Sequence, residues 1–516
     1  MQTGKSTVKS IFDGTRIFNI PTYQRAYSWR ESNLNDFLTD IINQHTERPY
    51  FFGTFLFHNN GQRGEFNLID IVDGQQRLTT FLLFMRQLIK ILNKKNSERI
   101  SKRTDRIFIK DDDVFKLELS NEDNSFLHNY ILSDSEIKKE KVATPSQRLL
   151  LEAKSFFEAK LTKLNKELLE KIYVTITEAD VLLYVVDEIS EATQIFALLN
   201  DRGRPLTDLE AIKSFLMYNI GLTSKNPNQL IGKIQENFSK IYRLIEKYDL
   251  VEEDILRYHT IAFEHTTKTN SKVYIKNKIS TLVNNNEQQK AKEAIMNYCL
   301  RLKETFEIYV QILEDIESSQ TLANFFMLGK VAPFYPLLIN SKKYSSNRFE
   351  ELIGYLNKFS FRATLIRLRS SGDSYINTCL RNKEDAIEKV KEFTRDNWWN
   401  INYRVKESLN YNNYYEWLSK NTVRFILFSY ENDLRQKKGY PKLTSKEYFK
   451  TTPNGTRFLN IEHITAKKTV GIKFDDDFNE NYINNLGNLV IDYIGPNIRK
   501  GNKSTDDKLE EYKQAP

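Results

Sequence analysis

A mostly helical α+β chain is the fold class predicted by three observations. Across the first ~220 residues, short apolar runs rich in β-branched and aromatic residues alternate with segments of helical spacing. From 221 to 400 the pattern is helical almost throughout, with few Gly or Pro. The last part, from 401, opens on aromatic-rich helices and closes on two short strands, a loop and a helix. The corresponding division is 1–220, 221–400 and 401–516, since 516 residues exceed what one core serves.

The elements follow in order. "RIFNIP" reads as a strand stopped by Pro21, and "NLNDFLTDIINQH" has helical spacing. "YFFGTFLFHN" and "FNLIDIVD" read as strands, the second ending at Asp73-Gly74. "QQRLTTFLLFMRQLIKILNKK" has the length of a buried helix. The stretch 94–125 is charged and irregular. "DVLLYVVDE" is a further strand and "EATQIFALLN" a further helix, with Gly203 suited to a left-handed stop. Thr207 or Asp208 then caps "LEAIKSFLMYNI". Near the C-terminus, "FLNIEHIT" and "LGNLVIDYI" read as strands, and "GPNIRKGNKSTDDKLEEY" as a loop entering a helix.

Composition excludes several classes. The chain is 40% apolar and 12% aromatic, enough to bury real cores, so it is not disordered overall. Its 76 basic against 68 acidic residues give a net +8, with half of that surplus after residue 401. Such a balance permits a polyanionic partner. The two cysteines, Cys299 and Cys379, form no paired motif, so neither a disulfide framework nor a thiolate metal site is expected. No signal peptide is expected, and the longest apolar runs stop well short of a membrane span. A soluble, cytoplasmic protein with no membrane partner is the expectation.

The C-terminal strands carry one constellation. Cutting a phosphodiester requires a base to take a proton from water, a cation beside the phosphate and a group that orients the base. The titration range of His463 suits the first task. Glu462 and Asn497 supply hard oxygens that suit Mg²⁺. Asn488, read on the next strand, holds the imidazole or the hairpin. Neighbouring strand residues face opposite ways, so Glu462 and His463 serve one site only where the strand ends or bends. A Glu-His pair alone is more often a surface accident. The five other histidines, His45, His58, His128, His259 and His265, have no such company and read as structural or solvent-facing.

"IVDGQQRLTT" carries a second constellation. An apolar strand ends in Asp-Gly and a helix begins at once, presenting unpaired N–H groups to an anion. Gly74 allows close approach of backbone, and Arg77 adds a forked cation. Asp73 can orient a water or hold a metal, and Gln75 and Gln76 can bond a base, sugar or water. A plain strand–helix junction with a capping Asp is the alternative. Upstream, "IPTYQRAYSW" gathers Tyr23, Gln24, Arg25, Tyr27 and Trp29, a set that could stack on a base, or in which Tyr27 and Trp29 simply fill the core.

At Glu462-His463, Asn488 and Asn497 the chain resembles the HNH, or ββα-metal, nuclease motif. "IEHI…NLGNLVI…PNIRKGNKS…K" is similar to the variant in modification-dependent restriction enzymes of the GmrSD kind. "IPTYQRAYSW", "YFFGTFLF", "IVDGQQRLTT" and "IFALLNDRGRPLTDLEAIKSFL" resemble, in order, the N-terminal domain of the same family, which has a ParB/sulfiredoxin-like fold. The resemblance implies Glu462 and Asn497 as ligands of Mg²⁺ (or Mn²⁺), His463 as general base and Asn488 as its support. Asn502 and Lys508 match later family positions. It further implies nucleoside triphosphate binding and hydrolysis at Asp73, Gly74, Gln75, Gln76 and Arg77, completed by Gln24 and Arg25. Implied partners are DNA, modified phage DNA in particular, with a homo-oligomer or a defence-system protein also compatible. "TAKK" stands where the family has a Pro after "EHI". A regulator with an idle HNH remnant and an RNA-cutting toxin are the competing functions.

Overall fold

A computed structural model describes residues 2–44, 49–133, 142–199, 206–264, 266, 270–369, 372–382, 384–395, 400–468 and 473–513, with side chains at 197–199 excepted. The chain divides into two compact units, 1–256 with 269–307, and 257–268 with 308–516. The helices of the 221–400 stretch are shared between them. Both helix and strand are present, with helix dominant, as α+β requires.

The first unit is built on a six-stranded mixed sheet. Its strands are β1 (Gly4–Thr7), β2 (Arg16–Ile20), β3 (Phe51–Arg63), β4 (Phe66–Asp73), β5 (Leu117–Leu119) and β6 (Asp180–Val186). Their spatial order is β1-β6-β3-β4-β2-β5. β3 and β4 form the antiparallel centre, while β2 runs parallel to β4 and β6 parallel to β3. The irregular stretch 94–125 conceals β5, which joins β2 in parallel with Leu117 opposite Phe18. Three residues are too few to show a period, yet Leu117 is fully buried.

Helices α1 (Glu31–Ile42), α2 (Gln75–Lys94), α3 (Pro145–Thr162) and α4 (Lys166–Thr177) alternate with the strands, α5 (Asp208–Thr223) and α6 (Pro227–Tyr248) come after β6, and α7 (Glu252–Glu264) begins in this unit and passes into the second at residue 257. α2 is buried along most of its length, so polar residues such as Thr79, Thr80 and Gln87 are enclosed as well. Tyr27 and Trp29 join this core: the Tyr27 hydroxyl lies 2.8 Å from that of Thr80, and Trp29 meets Phe37 edge-on. Thr207 is the cap of α5, exchanging bonds with Glu210 of 3.3 and 3.1 Å. Gly203 lies outside the described residues.

His58 faces Asp70 at 3.7 Å, His128 bonds the Leu117 carbonyl, and His259 is buried. His45 and His265 lie outside the described residues. No helix among the described residues is long and apolar enough to cross a membrane.

In the second unit, β7 (Leu459–His463) and β8 (Leu489–Tyr493) form an antiparallel pair. Helix α8 (Lys420–Lys438) precedes them, and α9 (Ile494–Lys500) and α10 (Thr505–Lys513) follow. Leu459, Ile461, Leu489, Ile491 and Tyr493 pack with Val423, Phe425 and Phe428 of α8. By strand alternation, Glu462 shares the opposite face with Asn460, Val490 and Asp492.

Candidate functional site

His463 is the last residue of β7. That position resolves the alternation problem in part: Glu462 faces α9 and α10, while the imidazole leaves the sheet where the strand stops. Its Nε2 lies 3.3 Å from Asn484 Oδ1, and the Tyr415 ring meets it edge-on at 4.6 Å. With Nε2 as donor to Asn484, Nδ1 keeps a lone pair able to accept a proton. Burial holds the imidazole below its ordinary range; the Asn484 bond opposes this, and Lys467, Lys420 and Lys508 push the same way as burial. These effects favour the neutral ring, in a setting rich in cations.

Asn488 lies one residue before β8, in a tight turn of Leu486–Asn488, rather than on the strand. Its amide accepts from Thr465 N at 2.8 Å and donates to Thr465 O at 3.0 Å and Ile483 O at 2.9 Å. One side chain thus holds the segment leaving His463 against the segment entering β8.

Glu462 is buried, and its Oε1 lies 2.6 Å from Lys508 Nζ. Burial raises its carboxyl above the usual range, against the pull of Lys508. Asn497 is the fourth residue of α9, and its Nδ2 donates to Ile461 O at 3.2 Å. That bond sets Asn497 beside the residue preceding Glu462 and leaves its Oδ1 without a hydrogen bond among the described residues. Among them no group of three or more His, Cys, Asp or Glu is gathered for a metal. The donors left are one carboxylate oxygen of Glu462 and one amide oxygen of Asn497. These are hard oxygens of the kind Mg²⁺ takes, not the thiolates or clustered imidazoles that zinc takes.

The second candidate site lies in the first unit. β4 ends at Asp73, Gly74 turns with φ +94°, and α2 begins at Gln75. A Cβ on Gly74 would sit 2.4 Å from Phe55 Cδ1, so only glycine fits. Arg77 Nη2 donates to Thr54 O at 2.7 Å and lies 3.7 Å from Asp73 Oδ2. Burial raises the Asp73 carboxyl, which Arg77 and the Gly74 N–H draw down. Burial lowers Arg77, against Asp73.

Two of the expected nucleotide contacts also bond the protein backbone. Gln24 Nε2 donates to Val72 O at 2.9 Å. Gln76 accepts from Ser28 N at 2.9 Å and donates to Ala26 O at 3.1 Å. These bonds strap the 23–28 segment to the strand–helix junction. Gln75 remains, with a buried Oε1 that has no partner among the described residues. Arg25 Nε lies 3.0 Å from Glu210 Oε1.

Sequence reasoning missed Tyr415, Lys420, Lys467 and Asn484 at the first site, and Glu210, Lys213, Tyr242 and Glu252 at the second. Nothing in a helix pattern marks a charged residue as buried. Asn484 is hidden in an Asn-rich run whose members the sequence does not rank.

Two family models match the chain. The N-terminal domain of the GmrSD restriction endonuclease matches residues 8–217, and the C-terminal domain of GmrSD restriction endonucleases matches residues 399–516. The first covers the Asp73–Arg77 junction and the second covers the hairpin with His463. No curated protein matches the chain.

Proposed function

The chain belongs to the GmrSD restriction endonuclease family, and on that premise we propose that it is an anti-phage enzyme cutting foreign DNA, modified phage DNA in particular, at the His463 site. Binding and hydrolysis of a nucleoside triphosphate at the Asp73–Arg77 junction gate the cut. The observation that carries this reading is an imidazole at a strand end, hydrogen-bonded to Asn484 and set among Lys420, Lys467 and Lys508.

Each residue has a stated task. The lysines attract the polyanion. His463 Nδ1 takes a proton from water, whose oxygen attacks phosphorus as the bond to the leaving oxygen breaks; that oxygen is protonated from solvent. A positioned base of this kind contributes about 10²–10⁴-fold. Asn488 holds the hairpin, and Glu462 and Asn497 are the residues that would hold Mg²⁺. When bound, that ion supplies positive charge beside the phosphate. In the first unit, the N–H groups opening α2 and the guanidinium of Arg77 face the phosphates, and Asp73 orients water.

The test pairs two variants. His463→Ala should abolish nicking of DNA in Mg²⁺ while sparing nucleotide hydrolysis, and Arg77→Ala should lose hydrolysis first. Plasmid still cut by His463→Ala overturns the site assignment. Digestion of DNA and RNA side by side decides the substrate; preference for RNA favours the toxin reading.

A further inference from the structure

One group of polar side chains in the first unit is gathered but not satisfied. α5 sends Glu210 and Lys213 toward the 23–25 segment: Glu210 Oε1 pairs with Arg25 Nε at 3.0 Å, and Lys213 Nζ donates to Tyr23 O at 2.8 Å. The same ammonium lies 5.5 Å from the centre of the Tyr23 ring and 5.3 Å from that of Tyr242 on α6. Glu252, at the start of α7, lies within electrostatic reach of Lys213, Arg25 and Tyr242.

The hydroxyls of Tyr23 and Tyr242 and Oε1 of Glu252 are buried and have no hydrogen-bond partner among the described residues, the Glu252 side chain otherwise bonding Thr207. Both tyrosines are more than nine-tenths buried. Unpaired polar atoms are costly to bury, and three gathered around one ion pair call for a partner that arrives from outside. Arg25 keeps about a third of its side chain in solvent and is the exposed member of the cluster, while Lys213 and the two tyrosines are buried.

We propose that Tyr23, Arg25, Glu210, Lys213, Tyr242 and Glu252 form the subsite for the nucleoside end of the triphosphate whose phosphates lie at Gly74 and Arg77. This rests on the nucleotide reading above. The chemistry matches a base or ribose edge. Glu252 accepts from an N–H or O–H, the phenols donate to a carbonyl or ring nitrogen, and the charges of the cluster balance without a further anion. The distance to the phosphate seat is short, because Gln24 and Gln76 strap this segment to the strand–helix junction. Tyr242 and Glu252 lie beyond residue 217, outside the matched N-terminal domain. Two of the six residues are thereby supplied by helices outside that matched segment, and four by the segment itself.

The experiment titrates the full chain, wild type and the variants Tyr242→Phe and Glu252→Gln, with the four ribonucleoside triphosphates and with inorganic tripolyphosphate. Wild type should prefer some nucleotides over others. Each variant should narrow that spread at least tenfold and leave tripolyphosphate binding within twofold. Tyr242→Phe should also melt no lower than wild type, since it removes a hydroxyl that bonds nothing in the folded chain. An unchanged spread overturns the subsite and leaves the nucleotide reading standing, as does an equal loss for all nucleotides and tripolyphosphate. A wild type that binds none of these ligands overturns both.

Discussion

Lys508 Nζ lies 2.6 Å from Glu462 Oε1 and 2.8 Å from His463 O, with both side chains of the ion pair almost wholly enclosed. One ammonium on α10 therefore fixes the carboxylate and the backbone of the two residues on which the proposed cut depends. Breaking a buried pair on one side leaves an uncompensated charge, which costs about 3–5 kcal/mol. Lys508→Met should destabilise the second unit by that order in urea unfolding, and Glu462→Gln with Lys508→Met should recover most of the loss. A single variant within about 1 kcal/mol of wild type sinks the claim that this pair is dry and coupled.

Much of this architecture is legible in the sequence. "RIFNI", "FNLIDIVD" and "VLLYVV" show their strands because each is apolar, and Thr207 is one of the two caps the sequence offers for the helix that follows. The order of Glu462, His463, Asn488 and Asn497 points to the hairpin and its helix. What was not legible depends on tertiary burial. Lys508 and Lys213 look like ordinary helix lysines until the fold encloses them. The backbone bonds of Gln24 and Gln76 were not legible either, because no local pattern encodes a bond across ~50 residues.

Asn488 makes three bonds of 2.8–3.0 Å between the two ends of the hairpin connection. Each is worth about 1 kcal/mol net. Asn488→Ala should therefore cost about 2–3 kcal/mol and lower nicking through misplacement of His463. Asn488→Asp keeps the acceptor for Thr465 N and loses both donors, so it should fall between. Amide exchange at Thr465 reports the loss directly; unchanged protection there in Asn488→Ala would count against the clamp.

Lys213 and Glu252 give the first unit a stability trough near neutral pH. Burial draws Lys213 down from 10.5 to about 8. The unfolded chain then binds the proton more tightly between those values, so stability rises with pH from about 8 to 10.5, by on the order of 3 kcal/mol. Burial pushes Glu252 up from 4.5 to about 7, against the Thr207 bond. Here the folded chain holds the proton, and that stabilisation is complete below 4.5 and lost as pH rises through 7. Urea unfolding from pH 5 to 10 should show both slopes. Glu252→Gln should flatten the acidic slope alone, and Lys213→Met the alkaline one; a slope that survives its variant belongs to another group.

Gly53 and Gly74 separate the seat of Arg77 from the helix start that it serves. A Cβ on Gly53 would sit 1.8 Å from Arg77 Nη1, the movable end of a side chain. On Gly74 it would sit 2.4 Å from Phe55, a fully buried ring that cannot yield. Both glycines have φ in the left-handed range, at +127° and +94°, so each alanine also carries backbone strain of about 1–3 kcal/mol. Gly53→Ala should expel the guanidinium from Thr54 O at that modest cost and reduce nucleotide hydrolysis as Arg77→Ala does. Gly74→Ala should add the overpacking of Phe55 and melt well below Gly53→Ala. Equal melting temperatures for the two would show that Phe55 gives way, and full hydrolysis by Gly53→Ala would show that Arg77 acts from a different position.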